Sequence, residues 1–313
     1  MKRKILALIT CVCVFGLSIN TWALEKENSK YVSSYYQSAL PNTFSYKVTL
    51  EEIENDIDEY ITEHDIMAER GTEEYTKLMY DFCFSHFSDL TETTIRYYEA
   101  YASIYLSDSL DKKQYTIDET KTIGEIREEN IKLLKDIKKE TEKNHSSEIQ
   151  PLFSSYDLFT AREYAKKYAI YPNLAFEYHP IAGDCTNFAS QILYAGGMPM
   201  NTDWTNDSGN DIGHRTWINA DGFTKYWSLM RNYLGPTCFS IEDIKNNADA
   251  GDFISWQNYD TYKFFHVQFV QNKTADREIY CTQHTPNYYN EKLSSRIDTG
   301  YFSNKYAVVV DFY

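Results

Sequence analysis

One stretch of fifteen residues, Gly183 to Gly197, constrains the fold of this 313-residue chain more than any other. Asp184 is a suitable N-cap, Phe188 and Ile192 share one helical face, and two glycines end the stretch. The pattern predicts a helix with Cys185 in its first turn. Because first-turn N–H groups and the helix dipole favour an anion, we expect a lowered thiol pKa and a nucleophilic role. The alternative interpretation of Cys185 is a small buried apolar residue.

A histidine on a later strand is the candidate base for this thiol. The C-terminal part contains four strand-like runs, at 252–257, 266–271, 277–284 and 306–312. The turn-like stretch 272–276 predicts a hairpin in which His266 and His284 are equally far from the centre. In that register the two rings face each other on one side of the sheet, so His284 would orient His266. Asn287 is the second candidate for the orienting role.

The run Asp184-Cys185-Thr186-Asn187-Phe188-Ala189-Ser190-Gln191 resembles the signature of the bacterial putative amidase domain family, a papain-like relative of the NlpC-type and CHAP cell-wall hydrolases. The resemblance covers about residues 156–313. It implies an α+β papain-like domain, in which the helix carrying the cysteine packs on an antiparallel sheet. It also implies a cysteine-dependent amide hydrolase with a thiolate–imidazolium pair of Cys185 and His266. The chain departs from the usual Asp-His-Val motif because Phe265 precedes the histidine.

Further residues are expected around the cleft. The oxyanion would be held by the backbone N–H of the nucleophile and by a second donor, for which Asn173 is the candidate. Asp184 either only caps the helix or also binds a substrate amine, as the matching aspartate is thought to do in NlpC-type enzymes. Trp204 and Trp217 stand in a polar stretch that is predicted to be a long surface loop, and they are candidates for a substrate-binding wall.

The N-terminal half contains no catalytic pattern. Residues 1–23 have the basic start, apolar run and small-residue end of a secretory signal peptide, with predicted cleavage after Ala23 and a signal anchor as the alternative. Residues 24–45 are expected to be a flexible segment, and 46–145 form a predicted helical region. This region would be a spacer, an inhibitory cover or a partner-binding module. A polar linker leads from it to the catalytic domain at 156–313.

Charge and cysteine usage limit the partners. A formal net charge of −15 argues against nucleic-acid binding. The four cysteines beyond residue 23 have no zinc-ribbon or C-x-x-C spacing, and a Cys238–Cys281 disulfide is the alternative to two buried thiols. Because the sequence has no H-E-x-x-H motif, neither a metal nor another cofactor is expected. We expect a secreted, extracellular or wall-associated protein without stable membrane insertion after signal cleavage.

The sequence therefore predicts a secreted cysteine hydrolase that acts on peptide or amide bonds of peptidoglycan through an acyl-enzyme. One alternative is a secreted cysteine peptidase that acts on proteins. Another is a non-catalytic binding module on the same scaffold. No sequence pattern assigns a protein partner to the helical region.

Overall fold

Within the described residues 44–108 and 117–144, four helices form the N-terminal region, as the helical periodicity predicts. Capping boxes begin two of them, because Thr49 and Glu52 bond reciprocally, as do Thr122 and Glu125. The helices are α1 (Leu50–Glu63), α2 (Glu73–Phe84), α3 (Glu92–Asp108) and α4 (Ile123–Asn144).

The computed structural model describes residues 44–108, 117–144, 156–181, 183–231, 233–297 and 304–312. The predicted signal peptide and linker, and nearly all of the predicted flexible segment, lie outside these residues. Ser45–Tyr313 form one compact unit, so the helical region and the region from residue 156 pack together. In the described part of the chain, no helix has both the length and the apolar character needed to cross a membrane.

Five further helices follow from residue 156 onwards. The Asp157 side chain caps the first of them by accepting a hydrogen bond from the Thr160 N–H. The third lies where a surface loop was predicted, and Asn210 caps it through the Gly213 N–H. The helices are α5 (Leu158–Tyr168), α6 (Cys185–Ala195), α7 (Asp211–Ile218), α8 (Ala220–Thr224) and α9 (Ile241–Asn247), with a π-helix at Lys225–Met230 and a 3₁₀-helix at Leu293–Ser295.

A six-stranded antiparallel sheet completes an α+β fold. Its order is β1-β6-β2-β3-β4-β5. The four predicted strand runs correspond to β2, β3, β4 and β6. Sequence patterns missed the two edge strands, of which the first contains Gly235 and Pro236, residues that are unusual in strands. The strands are β1 (Leu234–Cys238), β2 (Phe253–Asn258), β3 (Phe264–Lys273), β4 (Ile279–Gln283), β5 (Tyr288–Lys292) and β6 (Lys305–Val310).

A β-bulge interrupts the hairpin of β3 and β4. Val270 pairs with Cys281, whereas the next pair toward the turn joins Asn272 to Tyr280, so Gln271 is an extra residue on β3. Side chains alternate between the two faces of a strand, so one inserted residue changes which side chains of the partner strand share a face. The bulge therefore determines which side chains of β3 and β4 share a face on the side of Gln271 that is away from the turn.

The two faces of β3 contact different helices. Val267 and Phe269 lie in one buried core with Phe188 and Ile192 of α6. Burial of each such side chain contributes roughly 1.5–3 kcal/mol, which anchors the helix that carries Cys185. On the other face, residues of α2 contact the side chains of β2 and β3, and the ring of Phe84 lies edge-on to that of Trp256 at 5.9 Å.

Buried polar bonds join the helical region to the turn between β2 and β3. Two nitrogens of Arg96 on α3 bond to the Asp260 carboxylate, at 2.8 and 2.5 Å. Thr261 contacts Ser103 of α3 at 2.9 Å, and its carbonyl accepts a hydrogen bond from Asn130 of α4 at 3.0 Å. Since buried polar groups need partners, α3 and α4 complete the interior of this turn.

Candidate active site

Cys185 is the first residue of α6, as predicted, and is 8% exposed. The backbone N–H of Val267 on β3 hydrogen-bonds to the sulfur, and the Thr186 hydroxyl lies 3.6 Å from it. Burial nevertheless has the largest influence and raises the thiol pKa, while these donors act in the opposite direction. The predicted lowering of the pKa is therefore wrong for this closed arrangement, in which Cys185 is a neutral thiol.

His266, the predicted base, lies on β3 and is 1% exposed. Burial lowers its pKa to about 4, against the opposing effect of a hydrogen bond with Gln283. That bond joins His266 Nε2 to Gln283 Oε1 at 2.8 Å. The imidazole is consequently neutral at pH 7.

The surroundings of Gln283 fix the orientation of its amide. Its Nε2 lies 3.3 Å from the Thr285 carbonyl and 3.2 Å from the Pro286 carbonyl, and both of these oxygens only accept. Oε1 must therefore face His266, which assigns the ring proton to His266 Nε2. The lone pair is left on Nδ1, so this tautomer of His266 can act as a base through Nδ1.

The Gln283 oxygen accepts two more hydrogen bonds. Gln268 Nε2 donates to it at 2.6 Å and the Tyr288 hydroxyl at 2.8 Å. The indole N–H of Trp256 donates to Gln268 Oε1 at 2.7 Å, which fixes that amide as well. The result is a buried polar cluster in which each amide has one orientation.

The predicted pairing of His266 with His284 is wrong, and the bulge is the physical reason. It places Gln283, not His284, on the face of the hairpin that bears His266. His284 instead has Nδ1 2.5 Å from Asp184 Oδ2 and Nε2 2.8 Å from the Tyr168 carbonyl. Its ring stacks on Phe188 with centroids 3.9 Å apart. Because both ring nitrogens face acceptors, only a doubly protonated His284 ring can donate to both of them.

Asp184 has a structural role. Its carboxylate accepts hydrogen bonds from the backbone of His179 at 3.0 Å and from Asn187 Nδ2 at 2.7 Å, besides the contact with His284. It stands at the N-cap position of α6 but makes no side-chain cap bond, and it is fully buried. The predicted capping bond is therefore wrong, whereas the predicted binding of a substrate amine gains no support from this buried carboxylate.

Other polar residues of the motif also hold neighbouring segments. Asn187 Oδ1 accepts from the Trp217 indole at 2.9 Å, and Ser190 Oγ accepts from the Trp204 indole at 3.0 Å. Both tryptophans are fully buried in the core. The predicted substrate wall of Trp204 and Trp217 is therefore wrong, since α7 and its neighbours bury the rings and motif side chains satisfy their N–H groups.

The two candidate asparagines are bonded elsewhere. Asn173 donates to the Tyr164 hydroxyl at 2.9 Å and accepts within its own loop. Asn287 donates to the Ile170 carbonyl at 3.3 Å and accepts from the Thr285 N–H at 3.2 Å. Within the described residues neither asparagine is hydrogen-bonded to Cys185 or His266, so their predicted oxyanion and orienting roles gain no geometric support.

The other cysteines in the described part of the chain are free thiols. Cys83, Cys238 and Cys281 are buried and unbridged, so the alternative of a Cys238–Cys281 disulfide is wrong. The two residues lie on β1 and β4, which three other strands separate. Over the described ranges, no group of three or more His, Cys, Asp or Glu side chains is placed to hold a metal ion.

Cys185 and His266 stand close in the fold but on different surfaces of β3. The Val267 N–H places the sulfur beside the residue that follows His266. Successive side chains of a strand point to opposite faces, so Val267 faces α6, whereas the His266 ring lies edge-on to Tyr80 and Phe84 of α2, with centroids 5.2 and 5.3 Å away. Among the described contacts no hydrogen bond joins the sulfur to the imidazole. The structure thus describes a closed site.

Sequence patterns missed Gln283 and Tyr80. Gln283 precedes a more conspicuous histidine, and only knowledge of the bulge would have placed its side chain toward His266. Tyr80 lies on the apolar face of a helix, more than one hundred residues before Cys185, where the spacing indicated only core packing.

Two comparisons with known proteins found a similarity. Residues 155–309 match the family model described as "Putative amidase domain". A protein of Bacillus subtilis (strain 168), described as "Uncharacterized protein YjcM", is 28% identical over 144 residues, which are 43% of this chain and 32% of that protein. The chain thus matches about a third of the length of that relative. No solved structure matches the chain. The family match suggests amide hydrolysis, and hence a hydrolase, at residues 155–309.

Proposed function

We propose that the protein is a cysteine-dependent amide hydrolase in which Cys185 is the nucleophile, His266 the base and Gln283 the residue that orients the base. The observation that carries this proposal is the bond between His266 Nε2 and Gln283 Oε1, which leaves Nδ1 free while the sulfur lies beside the next residue of β3. In catalytic triads the third residue accepts one ring N–H, so that the other nitrogen takes the proton of the nucleophile.

In the proposed reaction, Nδ1 of His266 takes the thiol proton as Sγ of Cys185 bonds to the amide carbon, and the carbonyl π electrons move to oxygen. Backbone N–H groups at the start of α6 are available to the oxyanion. When the C–N bond breaks, the imidazolium gives its proton to the leaving amine. A water molecule, deprotonated by Nδ1, then cleaves the thioester and restores the thiol.

Substrate binding must open the site. At 8% exposure for Cys185 and 1% for His266, neither group is accessible to a substrate in the closed arrangement. Opening would also hydrate the sulfur and remove the main cause of its raised pKa. The proposed ion pair of thiolate and imidazolium therefore belongs to the open state.

The proposed substrate is an amide bond of peptidoglycan, in the stem peptide or between sugar and peptide. Two sequence features support it: the predicted export signal at residues 1–23, and the resemblance of residues 184–191 to a papain-like family related to cell-wall hydrolases. The proposed location is accordingly extracellular or at the cell wall.

The test uses protein recovered from the medium of expressing cells, whose N-terminus mass spectrometry can define. Wild type, Cys185→Ala, His266→Gln and the matched control Cys281→Ala are incubated with Gram-positive sacculi, and the released fragments are identified by mass. We expect release that requires Cys185 and His266 but not Cys281.

Two other outcomes separate the alternatives. Cleavage of unfolded proteins that requires Cys185, without release from sacculi, would replace the wall substrate with a protein substrate. Absence of any Cys185-dependent product from either material would favour a non-catalytic binding module.

A further inference from the structure

We infer that Tyr80, in the helical region outside the matched segment 155–309, is a positioning residue of the proposed active site. Its hydroxyl holds the amide of Gln283, and Gln283 in turn holds His266. The inference rests on the proposed function, in which His266 is the base. It gives the helical region a role that none of the sequence alternatives contains, because α2 would complete the catalytic machinery.

Tyr80 contacts both members of the Gln283–His266 pair. Gln283 Nε2 donates to the Tyr80 hydroxyl at 3.2 Å, and the Tyr80 ring lies edge-on to the His266 ring with an interplanar angle of 74°. Tyr80 is 8% exposed, so water does not readily replace its hydroxyl. Burial raises the pKa of Tyr80 and keeps the hydroxyl neutral, and a charge on Cys185 would raise this pKa further. Tyr80 and the candidate nucleophile are therefore close enough to interact electrostatically.

The position of Tyr80 is fixed from several sides. Its ring stacks on Phe84 with centroids 4.3 Å apart, and Phe84 contacts Trp256 and Phe265 of the sheet. One turn earlier on α2, the Thr76 hydroxyl donates to the carbonyl of Ile181, in the segment that leads to Cys185. The hydroxyl of Tyr80 is thus presented to Gln283 by a packed helix.

The amide orientation of Gln283 determines the chemistry of His266. A rotation of that amide by half a turn would present an N–H group to His266 Nε2, which would then have to accept. The ring proton would move to Nδ1, and Nδ1 could no longer take a proton from the thiol. The two backbone carbonyls oppose this rotation because they only accept, and the Tyr80 hydroxyl, which accepts a further hydrogen bond from Nε2, helps to hold the amide in that orientation.

Substitution of Tyr80 would have the opposite effect on the reactivity of Cys185 if α2 only covered the site. In that case the contacts of Tyr80 and Phe84 with His266 would keep the site closed, and weakening them would make Cys185 more reactive. A positioning role and a covering role therefore predict opposite changes for the same substitution.

The test compares Tyr80→Phe, which keeps the ring and removes the hydroxyl, with the control Tyr98→Phe. Tyr98 is also a buried tyrosine of the helical region, but its hydroxyl contacts the Asp56 carbonyl at 3.0 Å. The tautomer of His266 is read from the ¹⁵N shifts of histidine-labelled full-length protein, with His266→Gln to assign the signal. Turnover of sacculi is measured alongside, as is iodoacetamide modification of Cys185 between pH 5 and 9.

We expect His266 in the wild type and in Tyr98→Phe to carry its proton on Nε2. In Tyr80→Phe we expect a mixture of tautomers and a kcat about 5-fold lower with KM unchanged, as for the loss of one neutral hydrogen bond. Tautomer populations in Tyr80→Phe that equal those of Tyr98→Phe would overturn the inference. Faster modification of Cys185 in Tyr80→Phe would also overturn it and identify α2 as a cover. If Cys185→Ala retains turnover, the proposed function fails, and the tautomer measurement still decides whether Tyr80 positions Gln283.

Discussion

His266 Nε2 and Gln283 Oε1 lie 2.8 Å apart, and each residue is 1% exposed. If this contact orients the catalytic base, Gln283→Leu should lower kcat by about 10–100-fold, because the ring loses the acceptor that fixes its tautomer. The proportion of His266 protonated on Nε2 should fall with it. Gln268→Leu, which alters the same buried cluster without touching the imidazole, is the control for disturbed packing.

Gln283→Glu is a sharper variant, because it keeps an acceptor oxygen opposite His266 and adds a buried negative charge. A carboxylate there should raise the pKa of His266 from about 4 toward or above its usual 6.5. The acidic limb of the pH–rate profile should then move to higher pH. If Gln283→Glu keeps full activity and its acidic limb does not move, the limb does not report the titration of His266.

The depressed pKa of His266 also makes stability depend on pH. Between about pH 6.5 and 4 the unfolded chain binds a proton that the folded state does not, so stability is lost as the pH falls. We expect the wild type to lose about 3 kcal/mol relative to His266→Gln over this interval. Urea unfolding of both proteins at pH 7 and pH 4.5 measures the difference, and parallel curves would contradict it.

The comparison with a variant is necessary because Asp252 acts in the opposite direction. Burial raises the pKa of Asp252 to about 7, so its folded form holds a proton that the unfolded form has lost above pH 4. Its contribution to stability decreases as the pH rises through 7. Taking the difference between wild type and His266→Gln removes this contribution from the measurement.

The buried pair of Asp184 and His284 should behave as a unit. If both His284 nitrogens donate, Asp184→Ala leaves an imidazolium without its carboxylate, and we expect a loss of about 3–5 kcal/mol in the free energy of unfolding. The double variant Asp184→Ala/His284→Leu should lose less than the single one, because no buried charge is left unpaired. Chemical denaturation of the two variants and of His284→Leu gives the coupling energy, and strict additivity would refute the ion pair.

The bidentate contact between Arg96 and Asp260 should matter more than an exposed ion pair of the same type. Arg96→Met leaves a fully buried carboxylate and should lower the free energy of unfolding by about 3–5 kcal/mol. Arg277→Met removes a pair with Glu242 whose side chains are more than half exposed, and should change stability by less than about 1 kcal/mol. Equal losses would mean that the buried pair contributes no more than the exposed one.

Sequence patterns predicted the local elements and failed at contacts between distant segments. The four N-terminal helices and the cysteine at the start of α6 follow from periodicity, caps and glycine stops, which act over a few residues. The burial of Trp217 depends on α7. This short helix lies in a polar stretch, and its only local sequence signal is the Asn210 cap. The bonds of Asp184 depended on a histidine one hundred residues away.

The partner of His266 was mispredicted for a related reason. Register in a hairpin follows from turn geometry only while the ladder is regular, and residue types give no clear sign of the bulge at Gln271. Counting residues from the turn therefore predicted His284 as the partner of His266, one position after the observed partner Gln283. The side chain that meets His266 became identifiable only once the backbone path was known.

The same bulge has an evolutionary consequence. With this turn, a hairpin of equal length but regular pairing would set His284, not Gln283, opposite Gln268. A descendant chain could thus exchange an amide for an imidazole beside its base without substitution of either residue, by a slip of the ladder alone. Among relatives, equivalent alignment columns at this hairpin need not hold equivalent partners of His266, and homology of the partner must be judged from strand pairing.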